Sequence, residues 1–373
     1  MIPLFKVFMS EGVLSPMEKV LMSGYIGQGD QVDMFEEELS NFIGSPYINT
    51  TNSATSALTA SIRLLRGDDW SPEDEVLTTP LTCTATNLPI LANNLRIRWV
   101  DVDPNTCNVD TDDLMRKLSP RTKIIMVVHW GGYPCDLDAL KDVQERCQEL
   151  YGFRPGIIED CAHAIGSKYK GRMLGNHGNL CCFSFQAIKH FTTGDGGMLV
   201  SPSHEIHSKA KLMRWYGLDR TRSPDFRCEQ NIKHWGYKFH MNDINATIGR
   251  ANLPHLPGIL ERHRDNAAFF GEALSEIPGI TLLKKESYCE SSSWIYTLKV
   301  RGRDGFVKKL KSNDIGVSRV HDRNDKHNCF GDFQCALPNL DKLSETMISI
   351  PCGWWVTDAD RERIVDCIKD GWY

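Results

Sequence analysis

The chain has 373 residues, 48 of them acidic and 43 basic, for a net charge of −5. That length supports one large domain plus a smaller one, and the acidic balance argues against nucleic acid as a partner. No run of eighteen apolar residues occurs and the opening MIPLFKVFMSEG lacks a signal-peptide core, so a cytoplasmic protein without a membrane span is expected.

In chain order, apolar runs alternate with helical patterns through the first two thirds. A helix over 31–43 precedes NSATSAL, Asn52 to Leu58, which opens an amphipathic helix over 54–66. Ser53 is a good N-cap there. The amides of Ala54 and Thr55 then point out of the helix end, where free N–H groups and the helix dipole stabilise a phosphate, with the Thr55 hydroxyl beside it. Strands follow at 75–80, 97–102 and 123–130, then a helix at 136–151.

The next strand, 156–160, ends in Asp160. A carboxylate at that place can pair with a protonated pyridine nitrogen and turn the ring into an electron sink. His163 can hydrogen-bond either Asp160 or a ring hydroxyl. Strands at 180–185 and 197–200 flank SFQAIKHFTTGDGG, with Lys189 among hydroxyls and glycines, and a helix at 203–215 follows. As a Schiff base Lys189 holds an aldehyde cofactor; once displaced by a substrate amine, it shuttles a proton. Ser184 offers the phosphate another hydroxyl, and Gly194, Gly196 and Gly197 let the backbone pass close to a ring.

Each signal alone has an ordinary explanation: a capped helix, an acidic strand end, a solvated lysine. Their order along the chain carries the argument for pyridoxal 5′-phosphate (PLP). The 13 cysteines form no C-x-x-C pair and read as small buried hydrophobes, so no metal is expected.

The alternation implies strand-helix-strand units around a mostly parallel sheet. NLPHLPG (252–258) reads as the approach to a second domain. The expected division is an N-terminal segment with a large α/β domain over 1–255, then a small α+β domain over 256–373. That second domain is expected to have a strand near 294–300 and a terminal helix after Thr357, with the N-terminal segment packed on it.

With these motifs in place, the chain resembles the DegT/DnrJ/EryC1/StrS family of PLP-dependent sugar aminotransferases. GYIGQGDQVDMFEEEL looks like the family's N-terminal segment, and NSATSAL like its phosphate cup. VDVDPNTCNVD, VVHWGGYPCDLDAL, IIEDCAHAIGSKYKGRMLG, FSFQAIKHFTTGDGGML and GYKFHMNDINATIG then follow its signatures in order. The resemblance implies fold type I, the aspartate aminotransferase architecture, as a homodimer with active sites at the subunit interface. It places Lys189 on the Schiff-base lysine, Asp160 on the pyridinium partner, His163 on the residue touching the ring hydroxyl, and Ser184 with the Ala54–Thr55 amides on phosphate ligands. It also implies a cofactor alternating between PLP and pyridoxamine phosphate, an L-glutamate donor, and a nucleotide-linked keto sugar as acceptor. TTGDGGM looks like the perosamine-synthase branch, hence a 4-keto-6-deoxyhexose nucleotide, with carbon 3 as the alternative site of amination.

Four residues depart from the family pattern. Ala54 replaces a glycine of the cup. Cys83 stands where an aromatic usually covers the cofactor face. Lys238 replaces an asparagine that reaches the neighbouring subunit's phosphate, which a lysine can do as a point charge. His240 replaces an arginine near the substrate, and Arg220, Arg319 and Arg323 are possible substitutes. In the stretch SRVHDRNDKHNCF (318–330), Arg323 and His327 are the substrate-side candidates. A sugar 3-dehydratase is disfavoured because that branch carries histidine in place of the lysine; a non-catalytic binding protein of the same fold is the other alternative.

Overall fold

The computed structural model describes residues 1–66, 70–221 and 229–372. After helices α1 (Leu14–Met22) and α2 (Asp30–Ile43), strands and helices alternate. Strand β1 (Ile48–Thr51) leads into α3 (Ala54–Leu65), β2 (Glu75–Thr78) into α4 (Thr84–Ala92), and β3 (Arg96–Trp99) into α5 (Thr111–Lys117). Strand β4 (Thr122–Val128) leads into α6 (Leu137–Tyr151), followed by β5 (Gly156–Asp160). Two short strands, β6 (Lys168–Tyr169) and β7 (Arg172–Met173), precede β8 (Leu180–Ser184), β9 (Gly197–Val200) and α7 (His204–Met213).

Strands β1-β9-β8-β5-β4-β2-β3 form a seven-stranded sheet in that order. Only β9 runs against the rest. The inner strands β4 and β8 are buried on both faces, which is why TKIIMVV and LCCFS read as continuous rather than alternating apolar runs. Helix ends follow local chemistry. Asp136 caps α6 by accepting from the Asp138 and Ala139 amides, and Gly152 closes the helix at φ 82°.

Strand β1, INTT, has no apolar signature, yet all four residues are buried. The groups of Thr50 are satisfied by an ion pair: Glu36 accepts from the Thr50 amide (2.7 Å) and hydroxyl (2.8 Å), while Arg214 pairs with Glu36 and donates to the Thr50 carbonyl (2.7 Å); the Asn49 side chain is buried without a partner.

Helix α8 (Asp243–Asn252) continues through a 3-10 turn, Leu253–His255, into α9 (Leu256–Ala273). The prolines of NLPHLPG fall at the first turns of these helices, where a missing N–H costs nothing, so the stretch is helical rather than a linker. Helix α9 begins in the large core at Leu256 and Leu260 and ends in a second core at Ala267 and Phe270. That second core lies on the antiparallel sheet β10-β12-β13, formed by β10 (Ile280–Leu282), β12 (Tyr296–Val300) and β13 (Met347–Ile350). Strand β11 (Cys289–Glu290) pairs with β6 instead.

Around the second core pack α10 (Arg303–Ser312) and α12 (Asp358–Lys369), with α11 (Pro338–Thr346) preceding β13. Thr357 caps α12 in a reciprocal pair with Asp360. Ile2 belongs to the same core and pairs with Ile315, which fastens the N-terminal segment there. Among the described residues, no helix is long and apolar enough to cross a membrane.

Candidate active site

Because β1, β5 and β8 run the same way, their C-terminal ends share one edge of the sheet, where ligands bind in folds of this kind. The first residue of β9, Gly197, pairs with Thr51 of β1 on one side and Ser184 of β8 on the other. One row across the sheet thus joins the start of α3 to the residues leading to Lys189.

At that helix start the Ser53 hydroxyl accepts from the Ser56 amide (3.1 Å) and lies 3.0 Å from the Ser56 hydroxyl. It is therefore occupied as a cap. The amides of Ala54 and Thr55 precede the first helical bond, from the Ala57 N–H to the Ser53 carbonyl, and helix geometry leaves them without a partner. The strand passes close by: a Cβ on Gly197 would lie 2.6 Å from the Ala54 nitrogen and 2.7 Å from the Ser53 carbonyl carbon. The cradle therefore requires glycine at 197 and accepts alanine at 54, whose backbone is helical.

Asp160 is buried at the end of β5. It accepts from the Thr86 hydroxyl (2.7 Å) and the Ala162 amide (3.0 Å), and Thr86 lies 2.7 Å from Thr82. Burial pushes its pKa up, against these hydrogen bonds and Lys189. A carboxylate so placed is held ionised best by a cation beside it.

Behind it, His129 bonds Glu159 through Nε2 (2.9 Å) and accepts the Cys135 amide on Nδ1 (2.9 Å), while the other Glu159 oxygen takes the Asn179 amide group (2.7 Å). His129, Glu159 and Cys161 are close enough to share a metal ion. Both ring nitrogens and both carboxylate oxygens are already engaged, so the group reads as a buttress for β5.

The Lys189 amine lies over the Trp294 ring, 3.7 Å from its centroid. Burial lowers its pKa to about 8, against the opposing pull of Asp160 and Cys83. On the same indole stacks His163, 4.0 Å between centroids, and its Nδ1 is buried without a partner. Burial first, then Lys189 and neighbouring histidines, keep His163 neutral. His321 lies parallel to His163 at 5.5 Å and is itself lowered to about 4 by burial and Lys189.

Trp294 and His321 were not singled out in the sequence. The signal for His321 was available in SRVHDRNDKHNCF, where the histidine reaching Lys189 is the first rather than the second. His327 is exposed. Arg323 is buried with its donors engaged: Nε and one terminal nitrogen hold Asp325 at 2.7 and 2.6 Å, and the other pairs with Asp341. In the single chain, then, the Arg323 guanidinium is turned to Asp325 and Asp341, and His327 to solvent.

Cys83 occupies the N-cap position of α4, partly exposed and within electrostatic reach of Lys189. The backbone around Lys238 and His240 runs beside the α3 start: the Asn52 amide donates to Phe239 (2.7 Å), and the Asn52 side chain to the Lys238 carbonyl (3.3 Å). The Lys238 side chain is exposed, whereas His240 packs on Trp215 at 3.7 Å. Burial, then Arg220, Arg214 and Lys238, lower His240 to about 4, so it is a neutral group in place of a cation. Arg220 donates to the Gln28 carbonyl (2.6 Å), and Arg319 pairs with Asp322 (3.3 Å).

An amide cradle, a buried carboxylate, an unpartnered imidazole nitrogen and a buried amine together fit a phosphorylated pyridine aldehyde. Comparisons agree. The chain is similar to AtS13 from Actinomadura melliaura, at 47% identity over 100% of this chain and 99% of that one, with a TM-score of 0.97. It is similar to the sugar aminotransferase CalS13 from Micromonospora echinospora, at 43% identity over 100% of both chains and a TM-score of 0.96. The PLP form of Spr1654 from Streptococcus pneumoniae matches at 26% identity over 99% and 98% of the chains, with a TM-score of 0.90. The fold is that of the type I PLP enzymes. Residues 9–369 match the DegT/DnrJ/EryC1/StrS aminotransferase family, and the chain belongs to it as a PLP-dependent aminotransferase.

Proposed function

We propose that this aminotransferase moves an amino group from L-glutamate to the keto group of a nucleotide-linked sugar, a 4-keto-6-deoxyhexose, in two half-reactions. The observation that carries the reading is the convergence of Lys189, Asp160 and the unpartnered His163 nitrogen beside the Ala54–Thr55 amides. The name of CalS13 as a sugar aminotransferase supports the acceptor class.

When bound, PLP supplies an electron sink that makes a carbon–hydrogen bond of the attached substrate acidic. The chain's residues then divide the work. The Ala54 and Thr55 amides and the Ser184 hydroxyl hold the phosphate, and Asp160, aligned by Thr86 and the Ala162 amide, keeps the pyridine nitrogen protonated. His163, neutral and with a free Nδ1, bonds the ring hydroxyl. Lys189 would hold the cofactor through its amine and, when that amine is free, would carry the proton; its lowered pKa suits it to act as both base and acid near neutral pH. Cys83 would offer the cofactor a small thiol in place of an aromatic face.

His321 and Arg319 line the substrate side in this reading, and the neutral His240 leaves the donor carboxylate to an arginine or to Lys238. Lys238 reaches across a homodimer interface to the neighbouring phosphate. Exposed Leu14, Leu21 and Met22 on the first helix, and Tyr25 just after it, are the apolar surface such a dimer would cover.

The test is a panel of keto-sugar nucleotides incubated with the enzyme and L-glutamate, with NMR of the products. A 4-amino-4,6-dideoxyhexose nucleotide is expected. Amination at carbon 3, or of no sugar, contradicts the proposal.

A further inference from the structure

Trp294 is held from several sides. Its backbone N–H donates to the Gly131 carbonyl (2.9 Å) and its indole N–H to the carbonyl of Ile188 (2.9 Å), the residue before Lys189. The loop leading to it is pinned as well. Ser292 accepts from His190 (2.9 Å), the residue after Lys189, and its own amide donates to Ser167 (3.0 Å). Ser293, at φ 53°, accepts from His263 (2.9 Å). Phe5 of the N-terminal segment stacks on the indole with centroids 5.0 Å apart and planes at 20°. A ring bonded to the residue before Lys189, at the end of a loop bonded to the residue after it, is held beside the lysine, and its face lies under the Lys189 amine at 3.7 Å.

We propose that Trp294 is the docking surface for the free amine of Lys189, holding its ammonium form between release from the cofactor and return. The inference rests on the role assigned above to Lys189. Once displaced, the Lys189 amine takes the proton from the substrate carbon and becomes an ammonium, which later gives that proton back to carbon. The indole face carries negative π density and stabilises a cation, most strongly where water is excluded. This contact requires the uncombined, protonated amine, so it operates only in the interval when Lys189 is off the cofactor.

The other groups facing Lys189 are Asp160 from β5, Cys83 at the head of α4, and the histidines 163, 190 and 321. Asp160 and Cys83 favour the ammonium. The histidines, if charged, would oppose it, but all three are pushed toward neutrality by burial. The aromatic face adds a stabilisation of the same sign as Asp160 without a second charge that would compete for the pyridine nitrogen.

The test measures the pKa of Lys189 in the pyridoxamine phosphate form of the full-length enzyme. Competitive labelling with acetic anhydride across pH, read by peptide mass spectrometry, gives it directly. Incorporating mono- and difluorinated tryptophan weakens the ring face stepwise at nearly constant shape, and Trp294→Leu removes it. The pKa is expected to fall progressively with fluorination and by about one unit in the leucine variant. An unchanged or raised pKa in the fluorinated enzyme overturns the proposal, even if Trp294→Leu does not fold. Borohydride reduction of the wild-type PLP form separates the underlying reading: a pyridoxyl group elsewhere than Lys189 refutes that assignment, whereas modification at Lys189 with an insensitive pKa refutes only the role of Trp294.

Discussion

The imidazoles of His163 and His321 lie parallel, 7° between planes and 5.5 Å between centroids, although they come from distant parts of the chain. The loop after Val317 therefore closes over the edge of the sheet with His321, not with His327. His321→Ala is expected to lower kcat/KM on the order of 10²-fold, the scale of a misplaced reacting group. His327→Ala is expected to leave it within about twofold, as for surface substitutions generally. Because His321 sits near 4, it is already neutral above pH 5, so no activity limb at the ordinary histidine value should arise from it. Steady-state kinetics of the two variants across pH 5–9 check both statements.

Lys189 has a stability consequence. Its pKa falls from 10.5 to about 8 on folding, so between these values the unfolded chain binds more protons, and the apoprotein gains stability as pH rises through that window. Below pH 8 the full penalty stands. The shift corresponds to roughly 3 kcal/mol, and relaxation and water penetration around a buried charge reduce what is realised to about 2. Lys189→Met apoenzyme should be more stable than wild type by about that amount at pH 7, as for relief of a buried charge. The gap should close toward pH 10. Urea denaturation at a series of pH values measures it.

Gly197 is required by the crossing of β9 and the start of α3, not by a positive φ. Gly197→Ala would put a methyl against the Ala54 nitrogen at 2.6 Å. The expected cost is about 1–3 kcal/mol of stability, as for overpacking, together with a PLP dissociation constant raised at least about tenfold. Thermal melts with and without PLP separate the two effects.

Lys238 is exposed on the described chain, beside Asn52 and the phosphate cradle. If it crosses to the neighbouring site, Lys238→Ala should lose pyridoxamine phosphate faster on dialysis, and Lys238→Arg should retain it. Equal retention in wild type and Lys238→Ala would assign it to the solvated surface. Size-exclusion chromatography with light scattering reports the dimer in the same samples.

Much of the site was legible because its parts are local. Ser53 before an amphipathic run, Asp160 at the end of GIIED and Lys189 before a glycine turn each state their chemistry within a few residues. What was not legible depends on contacts between distant segments. Trp294 gains meaning only from its bond to Ile188 and from the bond between His190 and Ser292 in the loop before it. The pattern around Arg323 does not disclose that Asp325 and Asp341 hold its guanidinium. Strand β1 carries no apolar run, and the groups that satisfy Thr50 come from a remote ion pair, Glu36 with Arg214. That NLPHLPG, read as the approach to a second domain, is itself helical was not legible, because proline is a breaker inside a helix but neutral in its first turn.

The central claim, that Lys189 carries PLP in a glutamate-dependent aminotransferase, is tested most directly by the visible spectrum of the purified protein. Reconstituted with PLP, it should show the band of the lysine-bound cofactor, bleached by L-glutamate, restored by a 4-keto-6-deoxyhexose nucleotide, and absent in Lys189→Ala. A band that persists in Lys189→Ala, or one that L-glutamate leaves unchanged, would contradict the account.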